Sequence, residues 1–262
     1  MNFECTRKNP QLIAITNRSL CSHTAQTLPE RITHLCQAGF SYIIVREKDL
    51  SRDEYVALLD DIARWVSPAF WPRIILHSYS PAELSKSTLT QRNSLLVSFL
   101  SCVAGFHLTA HQLVSTLAET PDKENHTNAA SSLSFDASRT TVSVRDTSLT
   151  NTSMIGASVH SHEEALRAAS IPTRYVIASH MYSTACKPNL EPRGPQLLSE
   201  ISSCINPSTT LLWALGGITP YNASALIGRG AQGLCLMSSA MTQDPYQLAR
   251  AYRQALTADT VL

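Results

Sequence analysis

An excess of either charge is missing from this chain of 262 residues, which carries 21 basic and 20 acidic side chains. Proteins that grip nucleic acid usually show a basic excess or a basic stripe, so that class is not indicated. A C-x-x-C pair is missing too. The seven cysteines (Cys5, Cys21, Cys36, Cys102, Cys186, Cys204 and Cys235) are scattered and odd in number. That argues against a disulfide framework and a structural zinc site, and for small buried hydrophobes in a reducing compartment. The most apolar run, residues 94–106, falls short of the roughly 20 residues a spanning helix needs. Residues 1–11 carry charges but no apolar stretch, unlike a signal peptide. The expectation is a soluble, cytoplasmic protein with no membrane partner.

What is present is an alternation. Short β-branched runs are followed by longer amphipathic ones, the pattern of repeated βα units and a parallel sheet. Strands are expected at 12–16, 42–46, 73–77, 105–108, 154–160, 175–182, 211–217 and 233–238, with helices at 24–38, 53–66, 111–119, 162–169, 195–205, 220–229 and 245–256. Residues 80–102 are harder to assign, because Thr90-Gln91-Arg92-Asn93 interrupts two apolar pieces. Residues 120–153, rich in Ser, Thr, Asn and Asp, read as a long polar insertion between units four and five, with weak strand character near 141–144. Eight such units predict a single-domain (β/α)₈ TIM barrel over 11–256, with tails at 1–10 and 257–262.

In such barrels the site lies where strands end, and phosphate is commonly held after strands seven and eight. Strand seven runs into Gly216-Gly217, followed by a helix start, and strand eight into Ser238-Ser239. Paired glycines let a backbone approach an anion and donate N–H groups, although a Gly-Gly is also an ordinary turn. At the end of strand two, alternation would send Arg46 and Lys48 to one face, and Lys187 would bring a third cation to the rim. His180 ends strand six and His160 ends strand five, each suited to acid–base work or to a backbone-bonded core role. With His77, His107 and His111 they suggest a rim of imidazoles. No carboxylate cluster and no H-E-x-x-H spacing accompanies them, so no metal is expected.

Several segments, in order, resemble the thiamine-phosphate-synthase superfamily: Val45-Arg46-Glu47-Lys48-Asp49, Gly105-Phe106-His107-Leu108, residues 158–165, Ala214-Leu215-Gly216-Gly217-Ile218 and Gly230-Ala231-Gln232-Gly233. The resemblance covers most of 11–256, apart from 80–102 and 120–153. Synthases of the family couple a pyrimidine pyrophosphate to a thiazole phosphate and hold magnesium with acids in an Asn-Asp-Arg and an Ala-Asp-Gly motif. Here those places read His77-Ser78-Tyr79 and Val103-Ala104-Gly105. Residues 179–187 and Glu191-Pro192-Arg193-Gly194 are similar instead to the TenI branch, although Ser179 replaces its usual glycine.

That branch implies a thiazole tautomerase, an isomerase of thiamine biosynthesis needing no cofactor and no metal. On this reading His180 moves a proton on a thiazole carboxylate phosphate. Gly216, Gly217, Ser238 and Ser239 hold the phosphate, and Arg46, Lys48, His160 and Lys187 meet the substrate's charges. A homodimer is compatible with the resemblance. The alternatives are a thiamine-phosphate synthase (a transferase) and a non-catalytic regulatory or ligand-binding protein.

Overall fold

A computed structural model describes residues 10–21, 24–79, 81–109, 112, 154–184 and 188–258. Within them eight parallel strands close into a barrel in sequence order, each paired with its neighbours and the eighth with the first. They are β1 (Gln11–Ile15), β2 (Tyr42–Val45), β3 (Ile74–His77), β4 (Gly105–Leu108), β5 (Met154–Val159), β6 (Tyr175–Ser179), β7 (Leu211–Leu215) and β8 (Gly233–Leu236). The helices are α1 (Arg18–Cys21), α2 (Leu28–Gln37), α3 (Arg52–Trp65), α4 (Pro81–Ser85), α5 (Thr88–Arg92), α6 (Ser94–Cys102), α7 (His162–Ala169), α8 (Gln196–Ser202), α9 (Ala223–Ile227), α10 (Ser238–Thr242) and α11 (Pro245–Ala258). The expected TIM barrel is the observed fold.

Local chemistry sets the helix starts. Thr27 with Glu30 and Ser51 with Glu54 form capping boxes, each satisfying first-turn N–H groups that no carbonyl can reach. The Thr27 cap moves the start of α2 from the expected 24 to Leu28. The ambiguous 80–102 stretch becomes three short helices. Asn93 ends α5, and its side-chain oxygen accepts from the Leu95 and Leu96 N–H groups to start α6. The polar interruption is therefore a cap. Strands six, seven and eight are shorter than expected, ending at Ser179, Leu215 and Leu236. The expected 111–119 helix (apart from Gln112), the 120–153 insertion, and most of both tails lie outside the described residues.

Because both faces of a parallel sheet are covered, the strands read as nearly continuous apolar runs. One face packs under the helices through Leu28, Ile32 and Leu35 of α2 and Tyr55, Leu59 and Ile62 of α3. The other fills the barrel with Ile13, Ile15, Ile44, Ile75, Tyr175, Ile177, Trp213 and Cys235. Two rings of this size fit only where facing side chains are missing. A Cβ on Gly156 would come within 2.0 Å of the Tyr175 ring, and one on Gly233 within 2.6 Å of Trp213. Among the described residues no helix is long and apolar enough to cross a membrane.

Candidate active site at the barrel mouth

The C-terminal ends of β2, β3 and β4 bring together two cations and two imidazoles. Arg46 and Lys48, beyond β2, both act electrostatically on His77 of β3 and His107 of β4. Burial above all, then these like charges, holds His107 down at about 3. His77 is lowered well below its ordinary value by burial, then by His107, Arg46 and Lys48. Both rings are therefore neutral at neutral pH. They are also less open than a rim of imidazoles would be, with 7% of His77 and 3% of His107 exposed.

The two rings stack at 5.4 Å and head a column reaching down the barrel. His107 stacks on Tyr175 at 5.7 Å, and Tyr175 on Trp213 at 4.1 Å. Both nitrogens of His107 are engaged, Nδ1 with the Tyr175 hydroxyl at 3.2 Å and Nε2 with Ser158 Oγ at 2.9 Å. His77 Nδ1 shares a 2.6 Å hydrogen bond with Ser78 Oγ. The Tyr55 hydroxyl donates to the Val45 carbonyl and accepts from the His77 N–H, joining β2 to β3 beneath the cations.

Glu47 sits between the cations in sequence but is turned away from this group. Its carboxylate accepts from Thr16 Oγ1 at 2.6 Å and from the Arg18 backbone N–H at 3.0 and 3.1 Å. Thr16 Oγ1 in turn accepts from the Arg46 N–H at 2.9 Å. Arg18 also grips Asp49, through bonds of 2.8 and 2.6 Å. This network fixes the β1 and β2 ends.

Across the mouth, the paired glycines answer first to packing. Gly216 and Gly217 have φ of +108° and +64°, a region that suits glycine. Residues 180–183, just after β6, lie directly against them. The Met181 N–H donates to the Leu215 carbonyl and the Tyr182 N–H to the Gly216 carbonyl, both at 3.0 Å. A Cβ on Gly216 would come within 2.4 Å of His180 Cβ, and one on Gly217 within 2.4 Å of the Ser183 carbonyl oxygen. Asn222 closes the turn, accepting from the Thr219 N–H at 2.8 Å and donating to the Gly217 carbonyl at 3.0 Å.

Ser238 and Ser239 open α10 rather than extend β8, and no side-chain hydrogen bond caps that turn among the described residues. Behind it, buried Arg31 of α2 donates to the Ala240 carbonyl at 2.8 Å and to the Gln243 carbonyl. His180, 5% exposed, follows a cis peptide and has Nε2 3.3 Å from the Leu190 carbonyl, while its own carbonyl accepts from the Arg193 N–H. His160 is held by Glu164, which accepts from its N–H at 2.6 Å and lies 2.9 Å from Nδ1. Lys187 and His111 lie outside the described residues.

Sequence reasoning missed Ser158, Tyr175, Tyr55 and Arg31. Alternation along β5 and β6 could have turned Ser158 and Tyr175 inward. For Arg31, on an amphipathic helix, nothing local pointed to its carbonyl partners.

Residues 136–240 match the family model described as thiamine monophosphate synthase. The match spans β5 to β8 and starts inside the polar stretch that had been set apart from the resemblance. Curated relatives agree. A thiamine-phosphate synthase of Synechococcus sp. (strain CC9605) is 32% identical over 109 residues, 41% of this chain and 30% of that protein. One of Chlorobium luteolum is 35% identical over 99 residues, 37% of this chain and 45% of that protein. The chain thus matches less than half the length of these relatives. Among solved structures, thiamine phosphate pyrophosphorylase from Pyrococcus furiosus superposes with a TM-score of 0.62 at 17% identity, covering 96% of this chain and 98% of that one. A 3-keto-L-gulonate-6-phosphate decarboxylase from Vibrio cholerae gives 0.54 at 12% identity, covering 95% and 99%. These two likenesses speak to the fold.

The comparisons make roughly two-fifths of the chain similar to thiamine-phosphate synthases and correct the isomerase expectation. The curated relatives carry the name of a synthase, a transferase, and the tautomerase branch finds no support in them.

The magnesium of such synthases does not fit the residues here. A hard divalent cation takes oxygen ligands, chiefly carboxylates. Imidazole stands at position 77 and no acid at 103–105, Glu47 is committed to Thr16 and Arg18, and no group of three ligating side chains gathers among the described residues.

Proposed function

We propose that this chain is a transferase of the thiamine-phosphate-synthase type, joining a pyrimidine diphosphate to a thiazole phosphate with release of pyrophosphate. The observation that carries the reading is the family match over 136–240, which spans the four strands of one side of the mouth. In that coupling the carbon–oxygen bond to the diphosphate breaks, and the electron pair leaves with pyrophosphate. A thiazole ring atom supplies the pair for the new bond. Negative charge grows on the departing diphosphate, so cations belong beside it.

Arg46 and Lys48 are assigned to that charge. The backbone at Gly216–Gly217 and the uncapped first turn at Ser238–Ser239 are assigned to the thiazole phosphate. His180 is assigned to the wall between them, because its Cβ rests on Gly216. His160, bonded to Glu164, would contact substrate only at the rim.

The test is incubation of the two phosphorylated substrates with purified protein, reading thiamine phosphate and pyrophosphate together. Equal amounts of both products support the reading, and neither product defeats it. A second reading, ligand binding without turnover, is favoured by the lack of acids at 77–79 and 103–105. Substrate binding with no product would select it.

A further inference from the structure

We propose that Cys204 is a modification site, a thiol set against His162 so that it exchanges with small-molecule disulfides of the glutathione type. The pair joins α7 to the turn after α8 in the outer ring of helices. It uses no residue assigned to the barrel mouth and does not depend on the transferase reading.

The cysteines divide by their surroundings. Cys21, Cys36 and Cys235 are buried, as the sequence led one to expect. Burial pushes each of these thiols up, Cys36 to about 11, which leaves little of the thiolate, the reactive form. Among the described residues two thiols reach the surface. Cys102 is exposed at the end of α6, and Cys204 is half-buried two residues after α8. Exposure alone would make Cys102 the more reactive of the two.

The partners of Cys204 reverse that order. Its Sγ lies 3.1 Å from His162 Nδ1 and 3.7 Å from Nε2, on a ring brought from the start of α7. It also lies 3.2 Å from the Glu200 carbonyl, one helical turn back. A carbonyl can only accept the thiol proton, which holds the sulfur in its resting form. An imidazole can accept that proton or donate to the sulfur, so it serves the thiolate as well as the thiol. His162 is exposed, which opens the pair to a small reagent. The acids that follow it on α7 bond elsewhere, Glu163 to Arg167 and Glu164 to His160. In the exchange the imidazole takes the proton as Sγ attacks one sulfur of the reagent. A new disulfide bond to Cys204 forms and the old one breaks. The departing thiolate leaves with the electron pair and recovers the proton, so the small disulfide is the only oxidant required.

The experiment is timed reaction of the full, reduced chain with oxidised glutathione, reading the mixed disulfide at each cysteine by peptide mass spectrometry. Cys204 is expected to react about tenfold faster than Cys102 or more, despite its lower exposure. His162→Ala should remove that advantage and leave the Cys102 rate unchanged. Denaturing urea should remove it too, because the advantage depends on α7 meeting the turn after α8. The proposal is overturned if Cys204 is no faster than Cys102, or if its advantage survives urea or His162→Ala. Should His162→Ala disturb the fold, reaction at buried Cys36 reports it, and the comparison of native with urea-treated parent decides.

Discussion

Gly216 lies so close under His180 that a methyl group on the glycine would come within 2.4 Å of the histidine Cβ. The contact joins the ends of β6 and β7, and it makes the glycine a packing requirement before it is anything else. Its φ of +108° adds a backbone reason. Gly216→Ala should therefore destabilise the fold by about 1–3 kcal/mol through strain alone, before any steric shift of residues 180–183. The urea midpoint measures this, and an unchanged midpoint would show that the 180–183 segment yields freely.

Glu47 is a buried carboxylate satisfied by a hydroxyl, a backbone N–H and a guanidinium. Glu47→Gln replaces one acceptor oxygen with a donor facing donors. Hydrogen bonds to charged groups are worth about 1.5–3 kcal/mol each, so a loss on that scale is expected in chemical denaturation. Because Arg46 N–H bonds to the same Thr16, pyrophosphate affinity should fall with it. A variant as stable as the parent would mean the network is decoration.

Acid should unfold this protein partly through its two buried imidazoles. His107 is held at about 3, and His77 is also lowered, whereas in an unfolded chain each takes up a proton near pH ~6.5. Between those values the unfolded state binds more protons, so stability rises with pH. The contribution is whole above about 6.5 and is lost as pH falls toward the folded value. Each group adds a slope of up to about 1.4 kcal/mol per pH unit. Denaturation midpoints from pH 7 to pH 4 should be less steep in His107→Gln. Parallel profiles for variant and parent would rule out His107 as the source.

Arg31 holds two main-chain carbonyls of the α10 region from α2, and its fork geometry suits both at once. Arg31→Lys keeps the charge but loses the fork. About 1–3 kcal/mol of stability should go with the unsatisfied carbonyls. If the α10 turn receives phosphate, the Michaelis constant for the thiazole phosphate should rise more than turnover falls. Equal changes in both would make Arg31 a purely structural residue.

Much of the barrel is local chemistry. The strand cores at 42–45 and 74–76 follow from consecutive β-branched and apolar residues, and α7 spans the expected 162–169 because Ser161 caps it. Ends were less legible where a strand hands over to a turn. The N–H groups of Met181 and Tyr182 still pair with the next strand after β6 has ended, so a strand-like pattern persisted past its structural limit. At the site, position along the chain was enough to bring Arg46, Lys48, Gly216 and Gly217 to notice, because strand ends share one rim.

The amino-acid sequence alone determined the eight-unit alternation, the helix caps at Thr27 and Ser51, and the loss of acids at 77–79 and 103–105, because each depends on neighbours a few residues away. Tertiary structure alone decided the rest. It engaged both nitrogens of His107 with side chains on two other strands and turned Glu47 toward β1. It also gave Gly216 a steric duty to His180 and bound Arg31 to carbonyls more than 200 residues away. Barrel closure makes these contacts: it sets side chains from distant strands within hydrogen-bond reach, and no local periodicity encodes which of them will meet.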